Sequence, residues 1–133
     1  MRAVSTVLGM ADPITVLVPH AEGAELLEGV TAVVYDPEGD LPAEAEHAQV
    51  LVPPFLATSE AVAITEKLPA LQLVQLLTAG AEAWIGNLPD GVALSDCRGA
   101  HGGATAEWVV AALLAVYRHL PRFVHAQAEA RWD

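Results

Sequence analysis

Lysine is nearly missing from this chain. Lys67 is the only one, and six Lys and Arg residues together face 17 Asp and Glu, for a net charge of −11. No basic patch is available to meet phosphates, which argues against nucleic acid and against anionic membranes as partners. The acidity itself keeps such a chain soluble. Cysteine is as scarce: Cys97 stands alone and cannot form an internal disulfide, which fits a reducing, cytoplasmic setting. The five histidines are scattered without the short paired spacing of metal ligands, so no metal site is expected. Long apolar runs are missing too. A bilayer needs roughly 20 residues, and the strongest apolar stretch, Trp108–Tyr117, supplies about half of that. The opening MRAVSTVLGM is too short and too weakly apolar for a signal peptide, and residues 1–12 are expected to form a loose leader.

What remains is a hydrophobic chain of one-domain size. Apolar residues make up 53% of its 133 positions, and a domain of this length can bury about two-thirds of its surface on folding. Five short apolar runs rich in branched residues read as buried strands: Ile14–Val18, Thr31–Tyr35, Gln49–Val52, Leu71–Leu77 and Val92–Ser95. Between them, Ala21–Leu27 predicts a short helix stopped near Gly29. Asp36–Asp40 has turn composition, and Ala43–Ala48 is a weak helical segment. Ser59 can cap a helix reaching Leu68, and Ala81–Ile85 predicts one further turn. Strands that are apolar throughout and alternate with helices point to a parallel sheet covered on both faces. The expected architecture is a flavodoxin-like, doubly wound α/β domain over residues 13–103 with five parallel strands. A long apolar C-terminal helix and tail over 104–133 follow it. Ligands of such sheets bind beyond the carboxyl ends of the strands.

Two of those strand ends carry chemistry. Leu77-Thr78-Ala79-Gly80-Ala81 places small residues after a buried strand, where backbone N–H groups can approach an anion such as a carboxylate. The competing reading is that Gly80 supplies a positive φ to a tight turn. The other end, Asp96-Cys97-Arg98-Gly99-Ala100-His101, gathers an acid, a thiol, a guanidinium and an imidazole, but no second His or carboxylate follows at a useful spacing. Arg98 can hold an acidic ligand or pair with Asp96. Cys97 beside Arg98 can have a lowered thiol pKa or be a small half-buried residue. His101 by itself is a loop residue before it is a base. No catalytic residue is assigned.

The segment Gly99–Leu120 (GAHGGATAEWVVAALLAVYRHL) organises the C-terminal part. Thr105 is a plausible N-cap, with Glu107 in the first turn, Arg118 and His119 in the last, and Pro121 as the stop. Apolar residues on every face demand cover on all sides. The first 100 residues are expected to cover one side, and a partner chain or a further domain the other.

Taken together, Leu71–Gly80, the re-entry at Gly91–Val92, Thr105-Ala106-Glu107 opening the apolar helix, and the closing Arg131-Trp132 carry a resemblance. Over roughly residues 14–133 the chain resembles the N-terminal part of the D-isomer-specific 2-hydroxyacid dehydrogenases. The resemblance implies a substrate-binding domain followed by a Rossmann domain, with the active site between the two. It implies that the turn at Thr78, Ala79 and Gly80 binds the carboxylate of a small 2-keto or 2-hydroxy acid. It further implies that Thr105 lies near an NAD or NADP cofactor, and that the 105–120 helix takes part in homodimer contacts. The family moves a hydride between NAD(P)H and a 2-keto acid, with an Arg and a His–Glu pair at the reacting centre. Here the run Gly99-Ala100-His101-Gly102-Gly103 lacks the G-x-G-x-x-G spacing of a dinucleotide site, and no residue matches those catalytic groups. The chain therefore reads as a dehydrogenase cut off before its nucleotide-binding half. The alternative is a free-standing flavodoxin-like interaction module that dimerises through the same helix.

Overall fold

The computed structural model describes residues 13–57 and 59–132, with the backbone alone at 59 and 60; the expected leader at 1–12 and the capping side chain of Ser59 lie outside the described residues. Five strands form one sheet: β1 (Thr15–Val18), β2 (Thr31–Val34), β3 (Val50–Leu51), β4 (Leu73–Gln75) and β5 (Ala93–Ser95). Their order is β2-β1-β3-β4-β5, and every pairing is parallel. This is the doubly wound order of the flavodoxin-like fold, with its reversal between β1 and β3.

Register explains why apolar strands choose this arrangement. Val33 pairs with Leu17, Leu17 with Leu51, Leu51 with Val74, and Val74 with Leu94. Paired residues point to the same face, so one apolar row crosses all five strands. Leu17, Leu51 and Val74 in its middle have no exposed surface, while Val33 and Leu94 at its ends are partly buried. Val16 and Val18 are buried as well, so β1 is covered on both faces, as a central parallel strand must be. At the opposite end from the site, Gln49 ties the strand starts together. Its Oε1 accepts from the Thr15 N–H at 2.7 Å, and its carbonyl accepts from the N–H groups of Gln72 and Leu73.

The connections are slighter than the sequence suggests. After β1 comes α1 (Ala21–Glu25), where the His20 Nδ1 accepts from the Gly23 N–H at 2.9 Å as an N-cap. Ala43–His47 and Ser59–Lys67 are 3₁₀ helices, and β4 is joined to β5 by turns. Val62, Ile64 and Leu68 do not repeat at a full α-helical period. The tighter winding still directs Leu68 and Thr65 inward, with the Thr65 hydroxyl donating to the Val62 carbonyl at 2.6 Å.

The chain divides into two compact units, Met1–Cys97 and Arg98–Asp133. The second holds α2 (Gly102–Tyr117) and α3 (Leu120–Ala128). Here three expectations are corrected. Thr105 is not the N-cap: α2 starts three residues earlier, with His101 at the cap position, and the Thr105 hydroxyl donates to the His101 carbonyl at 3.0 Å. That bond back to residue i−4 satisfies the hydroxyl inside the helix, so it need not lie at the end. Because the helix starts early, Glu107 falls outside its first turn, and no basic residue lies in its last. Pro121 does not stop the helix either. α2 ends at Tyr117, His119 turns left-handed at φ 55°, and Pro121 lies in the first turn of α3, where its missing N–H costs nothing. α3 closes with a Schellman turn: Ala130 is left-handed at φ 51°, and the Arg131 N–H reaches the Ala126 carbonyl at 2.9 Å. α2 contains no buried residue. Among the described residues no helix is long and apolar enough to cross a membrane.

Candidate functional site

Beyond the carboxyl ends of β3 and β4 lies a cavity of about 290 Å³. This is near the lower end of the range for small-molecule sites, roughly 300–1,000 Å³. One wall is the segment Pro53–Ala57, the other runs from Leu76 to Trp84. The Pro-Pro pair explains the first wall. Neither proline has an N–H for the sheet, so β3 stops after two residues and the chain turns outward. Pro53 is buried as an anchor, while Phe55 is half exposed and Leu56 is 80% exposed at the opening.

The second wall follows from the small residues after β4. Thr78 is tied from both sides: its carbonyl accepts from the Cys97 N–H at 2.9 Å, and its hydroxyl donates to the Gly80 carbonyl at 3.0 Å. The chain then makes a single helical turn, with the N–H groups of Trp84 and Ile85 both bonded to the Ala81 carbonyl. Trp84 is buried against the core beneath the cavity. Among the described residues, no acceptor faces the backbone N–H groups of Ala79, Gly80 and Ala81. Three successive amides are therefore left to water or to a ligand.

Of the residues assigned to the substrate from sequence, Thr78 and Gly80 line the cavity; Ala79 stands between them, exposed and off the wall. The positive-φ reading of Gly80 fails, since its φ lies outside the left-handed region, unlike Gly29, Gly86, Gly91 and Gly99. A Cβ placed on Gly80 would meet nothing nearer than the Glu82 Oε2 at 3.0 Å, the far end of a flexible side chain. Backbone conformation does not require glycine here. What its missing side chain provides is open access to the turn.

Thr105 belongs to the other unit, in the first turn of α2. The nearby glycine run makes no dinucleotide cradle. Only Gly99 has a positive φ, at 89°, while Gly102 and Gly103 are already helical, so strand, tight turn and helix do not follow one another at the required spacing. Cys97 is half buried at the end of β5, with the Gln75 Nε2 3.8 Å from its Sγ; the same Nε2 donates to the Leu76 carbonyl at 2.8 Å. No group of three or more His, Cys, Asp or Glu among the described residues is placed to hold a metal.

Sequence reasoning missed Tyr35, Trp84 and Glu82. Tyr35 is buried directly after β2. Its N–H donates to the Val18 carbonyl and its hydroxyl to the Val52 carbonyl, so it spans the ends of β1 and β3 where the strand order reverses. Burial pushes its hydroxyl up to about 12. A lone tyrosine after an apolar run gives no such signal, but the fold's known reversal point could have drawn attention to it. The signal for Trp84 and Glu82 was their place in the short turn beside the glycine.

No protein-family model matches the chain, and no curated protein does. Among solved structures, a D-isomer specific 2-hydroxyacid dehydrogenase family protein from Aeromonas salmonicida subsp. salmonicida A449 is similar, with a TM-score of 0.63 and 22% identity. The likeness covers 92% of this chain and 41% of that one. At that identity it is the fold that is shared: the five-stranded parallel α/β sheet of this chain is built like a portion of a 2-hydroxyacid dehydrogenase family protein.

Proposed function

We propose that this chain is the substrate-binding portion of an NAD(P)-dependent D-2-hydroxyacid dehydrogenase, and that it holds the carboxylate of a small 2-keto or 2-hydroxy acid at Thr78–Gly80. The observation that carries this reading is the row of amides at Ala79, Gly80 and Ala81 without acceptors, beside a small cavity at the carboxyl end of β4. A carboxylate accepting two such N–H groups gains charge-assisted hydrogen bonds and leaves its 2-keto carbon in the open part of the cavity. The fold likeness supports the same family. Hydride transfer in that family uses NAD or NADP, and the residues described here do not form its cradle. In this proposal Thr105 approaches the cofactor with the lone pairs its hydroxyl oxygen still offers. The apolar circumference of α2 meets a second copy of the chain.

Calorimetric titration of the chain with pyruvate and with pyruvamide tests the site. The proposal expects heat of binding for the acid and none for its neutral amide. Equal responses, or none to either, would overturn it.

A further inference from the structure

The turn that leads into β5 carries a chemistry of its own, away from the cavity. Pro89-Asp90-Gly91-Val92 is closed by the Val92 N–H donating to the Pro89 carbonyl at 3.2 Å. Gly91 lies at φ 84°, the left-handed conformation that favours glycine at the third position of such a turn. Asp90 and Gly91 are both exposed. Among the described residues, neither the Asp90 carboxyl nor the Gly91 N–H has a hydrogen-bond partner. An aspartyl carboxyl is tethered within reach of the next residue's nitrogen. A side chain on that residue hinders their reaction, and a hydrogen bond made by its N–H holds the nitrogen back. Gly91 has no side chain and makes no such bond.

No other described aspartate meets these conditions. Asp36 precedes Pro37, whose nitrogen carries no proton. Asp40 precedes Leu41, a branched residue packed against the core. After Asp96, the Cys97 N–H is donated to the Thr78 carbonyl at 2.9 Å. Asn87, the only asparagine in the sequence, precedes Leu88, and its side-chain amide donates to the Ala83 carbonyl at 3.1 Å.

We infer that Asp90–Gly91 is a modification site, where isoaspartate forms spontaneously and loosens β5. The Gly91 nitrogen gives up its proton and bonds to the Asp90 Cγ, a Cγ–O bond breaks, and one water leaves. Water then opens the succinimide ring. Cleavage at Cγ–N restores aspartate. Cleavage between the nitrogen and the former backbone carbonyl of Asp90 leaves the chain running through Cβ and Cγ, with that carbonyl now a free carboxylate. One water is lost and one regained, so no other reactant is needed. The new linkage adds a backbone carbon just before edge strand β5, where the Ala93 N–H donates to the Gln72 carbonyl at 2.8 Å. The turn bond at Val92 cannot keep its geometry across that insertion, and the start of β5 loses its anchor.

The test ages the full chain and Asp90→Glu at neutral pH in water enriched in heavy oxygen. Peptide mass spectrometry then locates isoaspartate, and hydrogen exchange is followed at Ala93. Glutamate keeps the charge at an exposed position, and its longer side chain does not close a succinimide, so the fold is retained. The expected result in the wild type is isoaspartate and solvent oxygen in the peptide holding Asp90, with faster exchange at Ala93. Asp90→Glu should lose both signals. Absence of isoaspartate at 90, or as much of it at Asp40 or Asp96, overturns the site. Isoaspartate at 90 with unchanged exchange at Ala93 overturns the loosening of β5.

Discussion

The Tyr35 hydroxyl donates to the Val52 carbonyl at 3.3 Å, bridging the end of edge strand β2 to the end of central strand β3 across β1. That bond spans the reversal in strand order, the usual ligand crevice of such folds. The open cavity lies one strand further on, between β3 and β4, and Val52 leads directly into its Pro53 wall. Tyr35→Phe keeps the ring and removes the donor. It should cost about 1 kcal/mol in urea unfolding. A change within error would show that the bond contributes nothing.

The same residue sets an alkaline limit. Burial raises the Tyr35 hydroxyl from 10.0 to about 12, so the folded chain keeps a proton that the unfolded chain loses. The stabilisation is fully present below pH 10 and is lost as the pH rises toward 12, with a slope of at most about 1.4 kcal/mol per pH unit. Unfolding measured across this range should show a steeper fall in the wild type than in Tyr35→Phe. Parallel curves would contradict the burial argument.

Leu51 sits in the middle of the apolar row, between Leu17 and Val74, on a strand of two residues. Leu51→Ala leaves a hole at the sheet's centre and should cost about 2–5 kcal/mol. A loss below 1 kcal/mol, measured by the urea midpoint, would mean that the row is not the core.

Gly80 tests access. Because its φ lies outside the left-handed region, Gly80→Val avoids left-handed strain, and a Cβ there meets first the movable Glu82 carboxylate. Stability should change little, while affinity for pyruvate should fall by about tenfold or more, as expected for the loss of a charge-assisted hydrogen bond. Retained affinity would place the ligand elsewhere.

The helix α2 tests the proposed self-association. Trp108 and Tyr117 line one side of α2, and Val110 and Leu114 line a separate apolar surface; all four are more than half exposed. Val110→Asp places a charge on that surface without touching a buried residue. Sedimentation should show association in the wild type and its loss in the variant. A wild-type monomer, or an unchanged variant, would contradict the proposed contact.

The strands were legible because branched apolar runs between prolines admit few other conformations. Ile14–Val18 and Thr31–Tyr35 differ from β1 and β2 by one residue each. The connections were less so: Ser59–Lys67 lacks an α-helical apolar period, and the core took it as 3₁₀. At α2, two glycines that favour a loop when isolated became helix, and a hydroxyl suited to capping bonded one turn back. The position of His119 in the left-handed region was not anticipated: histidine is enriched there, but only a few per cent of non-glycine residues adopt it, too weak a signal to place a helix break. At the site, the small residues pointed to Thr78 and Gly80. The part played by Phe55, Trp84 and Glu82 depends on bringing the ends of two strands together, which local sequence does not encode.

The most direct test of the account is an amide shift titration of the isotope-labelled chain with pyruvate. Saturable shifts are expected at Ala79, Gly80 and Ala81, with smaller ones at Thr78 and Trp84 and none at the Gln49 end of the sheet. Shifts absent from residues 79–81, or spread evenly over the chain, would contradict a carboxylate site at the end of β4.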